Sequence, residues 1–291
     1  MSVSWQLLAL PLTEALVMGL LAGLVGALAL LDRRIFLTES LTHSTFPGAV
    51  AGVVAASGAA TALTGARAGH ETLTVALLIG AVLLCLPMAR LMRWLSTVPG
   101  VSSQCAAGVV LAVGFSLGYL LSTWFAPLPL KVDGFLAGSL LNVGVTDVAL
   151  TTAVLAAALA VVAVGGRLLV FHCFDAVGYR AAGLRSGPAE AAILILICLT
   201  IGALVPAIGT ILPIALIAAP AASLVAWVRS TRGLLVGAAV LGAACCLVGT
   251  GLAVALELSV GGVIATLCGG VYALSRLARL IRPGRRASRS S

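Results

Sequence analysis

Residues 189–228 read AEAAILILICLTIGALVPAIGTILPIALIAAPAASLVAWV, with Glu190 as the only charged residue. A helix needs about 20 mostly apolar residues to cross the hydrocarbon core of a bilayer, and this run holds enough for two crossings. It is apolar all round rather than on one stripe, which suits a helix surrounded by lipid or by other apolar helices. Gly209 divides it near its middle, with Pro206 and Pro213 on either side. The stretch therefore predicts two spans, 189–208 and 210–228, arranged as one broken helix or a tight helical hairpin.

The rest of the 291 residues follow the same rule. The chain is 61% hydrophobic and only 9% charged, with mean hydropathy +1.20. A soluble domain carries about 25% charged residues, so this chain cannot cover a water-facing surface. Further apolar runs at 12–31, 41–63, 72–92, 102–122, 146–168, 233–256 and 259–276 bring the expectation to about nine spans in an all-α, polytopic transmembrane helix bundle. Residues 134–142 are too short to cross and read as a re-entrant or interfacial piece. The membrane domain is expected over 1–276, followed by a disordered basic tail over 277–291. Met1 to Leu12 has neither the basic region nor the cleavage site of a signal peptide.

The charges give this bundle a direction. The chain holds 17 Lys and Arg. Fifteen of them fall in alternate connections and the tail: Arg33 and Arg34, Arg90 and Arg93, Arg167, Arg180 and Arg185, Arg229 and Arg232, then the tail from Arg276 to Arg289. Arg67 and Lys131 lie in the others. Basic residues stay on the cytoplasmic side, so the N-terminus is expected outside and the C-terminus in the cytoplasm. The net charge of +8 thus reflects topology, aided by anionic membrane lipid, and not nucleic-acid binding. The seven cysteines include no CxxC pair and read as small apolar packing residues. There is no GxSxG, no HExxH and no GxxxxGK[ST], so no ATP site of that kind and no catalytic set is expected.

Ionisable groups inside spans are costly and are the first functional candidates. Glu14, Asp32, Glu71, Asp133, Asp147, Asp175 and Glu257 fall at span ends or in connections, and Glu190 starts a span where a carboxylate complements a helix N-terminus. His70 and His172 fall in connections, the latter reading as part of a partner contact. Glu39 and His43 differ. They stand four residues apart in TESLTHSTFPGAVAG, residues 38–52, so carboxylate and imidazole share one helix face. That pair suits Zn, Mn or Fe(II) but is too small to complete a site. A hydrogen-bonded pair that merely ties helices together fits the same spacing.

This stretch resembles the GDALSHAALPGVALA segment of the ABC-3 family, the permease subunits of zinc, manganese and iron(II) importers. Leu41, His43, Pro47 and Gly48 match it directly, with Glu39 in place of the family aspartate. FLAGSLLNVGVTDVAL (135–150), FDAVGYRAAGLRS (174–186) and GTILPIALIAAPAASLVAW (209–227) resemble three further family segments in the same order, so the likeness covers about 14–275.

The resemblance implies a membrane subunit that pairs with a second permease subunit, as homodimer or heterodimer. It implies cytoplasmic ABC ATPase subunits below and an extracytoplasmic metal-binding protein above. No cofactor is bound permanently; the cargo is a divalent metal ion. Glu39 and His43 become the ion-contacting pair, and Phe174, Asp175, Tyr179, Gly183 and Leu184 the contacts to the ATPase. The family's acidic pair at the start of the fourth span is replaced here by Ser103 and Gln104, leaving Gln104 to offer only a neutral carbonyl oxygen. Two alternatives are a siderophore- or cobalamin-type ABC permease and a proton-coupled secondary transporter using Glu39 and His43 as a relay.

Overall fold

The computed structural model describes residues 5–65, 69–128, 138, 140–210 and 212–281. They form ten α-helices and one short 3-10 turn, with no strand among them. In chain order the helices are α1 (Trp5–Leu31), α2 (Ile35–Thr64), α3 (His70–Leu95), α4 (Ser103–Trp124), α5 (Val145–Phe174), α6 (Ala176–Ala181), α7 (Ser186–Ile208), α8 (Pro213–Leu224), α9 (Thr231–Leu256) and α10 (Val260–Ile281). The 3-10 turn, Leu140–Asn142, precedes α5. It is part of the segment expected to be re-entrant; 134–137 and 139 lie outside the described residues, as does the tail from 282. The helix α10 runs to Ile281, five residues past the expected end of the last span.

Two helices form the centre. In α1 and α7, 72% of the most apolar stretch is buried inside the protein, against 17% in α5 and 22% in α10. One group, α2, α3 and α4, packs on one side; α1, α8, α9 and α10 form the other, and α7 touches members of both. Small residues permit the closest approaches. A side chain on Gly23 of α1 would run into the α9 backbone at Ala238. On the other side, Gly48 of α2 and Gly80 of α3 each face the other's backbone carbonyl at the same kind of distance. The order of these contacts fixes direction. Ser40, Ser44 and Phe46 of α2 meet Ala107, Gly114 and Gly118 of α4, so α2 and α4 run parallel. Gly48 and Gly52 meet Gly80 and Ala76, so α3 runs against them.

Among the described residues, eight helices are long and apolar enough to cross a membrane. The expected span 210–228 is not among them. Its helix, α8, has 12 residues and a length of about 18 Å, short of the hydrocarbon thickness of about 30 Å. The sequence shows why. Gly209 adopts φ 83, a conformation that ends α7, and Pro213 fits only the first turn of a new helix. At the far end Trp227 donates its indole N–H to Ser275 Oγ at 2.8 Å, and Ser275 donates to the Ser223 carbonyl at 2.6 Å. That tie to α10 turns the chain just past Leu224. Hydropathy registers the apolarity of 210–228 but not these breaks.

Candidate functional site

The first half of α2 is polar in sequence and buried in fact. From Leu37 to Val50 every residue is buried except Glu39 and His43, which are half-buried. The hydroxyls of this run are spent on backbone carbonyls. Thr42 donates to Thr38 O at 2.7 Å, Ser44 to Ser40 O at 2.8 Å, Thr45 to Thr42 O at 2.6 Å, and Ser40 crosses to Ala107 O of α4 at 2.9 Å. They satisfy themselves and pin α2 to α4. What remains uncommitted is the Glu39 carboxylate and the His43 ring, whose buried Nδ1 has no hydrogen-bond partner. The ring meets Phe115 of α4 edge-on, with centroids 6.0 Å apart and planes at 78°. Pro47 lies inside α2 and has no N–H to offer the His43 carbonyl four residues back. One turn of helix thus presents a carboxylate, an orphaned imidazole nitrogen and a carbonyl without its usual helical donor.

Gln104 is exposed on the first turn of α4. It lies at the same end of the bundle as Glu39, and no hydrogen bond among the described residues joins it to Glu39 or His43. Nor is any group of three or more His, Cys, Asp or Glu side chains placed to hold a metal ion among the described residues. A single chain brings together two of the three expected donors.

The stretch FDAVGYRAAGLRS forms the end of α5, the short helix α6 and the turn into α7. Asp175 starts α6 by accepting the Gly178 N–H at 2.7 Å. Gly183 takes φ 79 and closes the turn after it. Phe174 projects outward at 69% exposure. Tyr179 does the opposite: it is buried, with ring centroids 5.5 Å from Phe171 and 5.3 Å from His172. Leu184 packs half-buried against the core. Of the five residues singled out, Phe174, Asp175 and Gly183 face outward, while Tyr179 and Leu184 seat the loop on the bundle. Val177, absent from that set, is as open as Phe174.

A polar cluster at this end escaped sequence reasoning. Glu190, near the start of α7, lies 3.4 Å from Arg34, 3.6 Å from Arg93 and 4.0 Å from the buried His172. Arg34 also lies 2.7 Å from Asp32. These charges join the α1–α2 turn and the ends of α3, α5 and α7. Asp32 Oδ2 receives no hydrogen bond despite the close guanidinium, and burial raises its carboxyl above the usual range, with Arg34 and His172 opposing. The signal available in sequence was one carboxylate on the same end as several arginines. Glu14 also differs from expectation: it is fully buried inside α1 rather than solvated at a span end, and accepts a hydrogen bond from Thr151 of α5 at 2.7 Å.

The chain matches the model of the ABC 3 transport family over residues 4–279. Among curated proteins it is 29% identical over 265 residues to the zinc transport system membrane protein TroC of Treponema pallidum, covering 89% of this chain and 85% of that one. It is 23% identical over 274 residues to the manganese transport system membrane protein MntC of Halalkalibacterium halodurans, covering 94% and 87%. Among solved structures its fold is similar to a chain of PsaBC from Streptococcus pneumoniae in complex with Fab, with TM-score 0.80, 21% identity and 96% of each chain covered.

Proposed function

Since the chain belongs to the ABC 3 transport family, we propose that it is the membrane-spanning permease subunit of an ATP-driven importer for divalent transition-metal ions, with manganese, zinc and iron(II) as the cargo class. The observation that carries this reading is the Glu39–His43 turn of α2. In the first half of α2, whose hydroxyls are spent on backbone carbonyls, it alone keeps uncommitted ligand atoms, on half-buried side chains. A carboxylate with an imidazole nitrogen takes such ions. The names of the relatives, a zinc and a manganese system, support the same class.

Each chain supplies half a site. Pairing with a second permease subunit would bring two such turns to one pathway, with Gln104 a neutral oxygen donor at its rim. The N-terminus lies outside and the C-terminus inside, so that the arginine-rich end carrying α6 meets a partner ATPase. An extracytoplasmic binding protein delivers the ion to the opposite end. The permease itself hydrolyses nothing: its groups bind the ion, and the ATPase drives the exchange of outward and inward states through the α5–α7 connection.

The test is uptake of radiolabelled Mn, Zn and Fe in a strain lacking the native chain. The Glu39→Ala/His43→Ala double variant should lose uptake while still co-purifying with the ATPase. Normal uptake by that variant would refute the site.

A further inference from the structure

At the arginine-rich end, away from Glu39 and His43, a cavity of about 530 Å³ opens between α5 and the start of α9. Its polar rim is Arg167 of α5 with Ser230, Thr231 and Arg232 of α9; Val162 and Val170 supply apolar wall. Neither Arg167 nor Arg232 forms an ion pair among the described residues, whose ion pairs all belong to the Glu190 cluster. Two guanidiniums thus share one cavity with no carboxylate to neutralise them, an arrangement that like-charge repulsion disfavours unless an anion is present.

The depth of the cavity says which anion. Asp147 and Arg167 bracket 19 uncharged residues of α5, about 28 Å and close to the hydrocarbon core of about 30 Å, so Arg167 and the helix end beyond it lie at or past the core boundary. Arg167 lies seven residues, about 10 Å, before that end. Its guanidinium therefore sits at headgroup level, with Val162 and Val164 below it at acyl-chain level. Basic pockets between membrane helices at this depth suit anionic lipid headgroups. We propose that this cavity is a binding site for one anionic phospholipid, its phosphate held by Arg167 and Arg232 with hydroxyl donation from Ser230 and Thr231, and its acyl chains lying along the α5 valines.

The full chain, co-expressed with its ATPase, should retain one phosphatidylglycerol or cardiolipin per permease by native mass spectrometry. In detergent, phosphatidylglycerol should raise the thermal midpoint of the wild type more than phosphatidylcholine does, a comparison that needs no variant. Arg167→Gln/Arg232→Gln should weaken phosphatidylglycerol affinity about thirtyfold, since each basic residue near a headgroup contributes about a factor of five, and Arg167→Lys/Arg232→Lys should keep most of it. Equal shifts from the two lipids, or unchanged affinity in the Gln variant, would overturn the proposal. So would inorganic phosphate reproducing the shift, which assigns the site to a soluble anion. Loss of the ATPase from the Gln variant with lipid affinity intact would do the same, assigning the arginines to the protein partner.

Discussion

Glu190 shows what one carboxylate does where four helix ends meet. With 29% of its side chain exposed, it is neither a surface ion pair nor a buried one. Its removal should cost between the values for those two cases, about 1–2 kcal/mol. Glu190→Gln should lower the thermal midpoint of the detergent-solubilised chain by that equivalent. An unchanged midpoint would show the arginines to be content with solvent. Asp32 gives a pH signature of opposite sense to the usual carboxylate. Its folded pKa is raised by burial, so between the ordinary Asp range and the raised value the folded state holds more protons than the unfolded one. Stability from this group is therefore greater at low pH and declines as pH rises through that window. The slope of thermal midpoint against pH over that window should become more positive in Asp32→Asn, and an identical slope would contradict the assignment. The sequence exposed the Glu39–His43 pair because both members lie within one turn. It hid the partners of Glu190 and the burial of Glu14 because these depend on contacts between separate helices: Glu14 meets Thr151, and Arg34 and Arg93 meet Glu190.

The helices divide into those that composition announces and those that turn chemistry decides. Eight long apolar helices follow from apolar run length, and their packing follows from where glycine removes a side chain. Gly23 is one such case. Gly23→Leu would drive a side chain into the α9 backbone at Ala238, where flexible atoms cannot yield; the α1–α9 pair must separate. The expected loss is at least about 1–3 kcal/mol, the usual range for overpacking, read as reduced yield of monodisperse protein on size exclusion. The same change at Gly58, which faces open space, is the control. The short helix α6 separates two roles that the motif FDAVGYRAAGLRS left together. Val177 and Phe174 project outward, so Val177→Asp should reduce ATPase co-purification while leaving the thermal midpoint of the isolated permease near its wild-type value. Tyr179→Ala removes an aromatic ring from between Phe171 and His172 and should lower that midpoint by about 3 kcal/mol equivalent, within the range for buried aromatic truncation. Were Val177→Asp the destabilising change and Tyr179→Ala the silent one, the loop would be seated the other way round.

For the whole molecule, the arginines and the helix directions constrain each other. The parallel course of α2 and α4 places Arg34 and Ser102 at one end and Thr64 and Trp124 at the other. The Glu190 cluster adds the ends of α3, α5 and α7 to the Arg34 side. Arg232 also falls on this side, since it lines one cavity with Arg167 near the end of α5, which requires the chain from 209 to 229 to cross back although α8 is only 12 residues long. Irregular backbone is tolerated at membrane depth only where protein surrounds it, and α8 meets that condition: it packs against α1, α9 and α10, with Leu216, Ile217 and Ala221 fully enclosed. A short protected helix with turns at both ends can therefore complete a crossing that a lipid-facing helix of its length could not. This makes orientation testable at two points on either side of it. With the exposed Cys105 first replaced by Ser, a cysteine at Thr123 should react with a membrane-impermeant maleimide in intact cells, whereas one at Ser230 should react only after permeabilisation. If Ser230 and Thr123 label alike from outside, α8 does not complete the crossing, and the ATPase would have to approach a bundle whose last two spans run in the opposite direction.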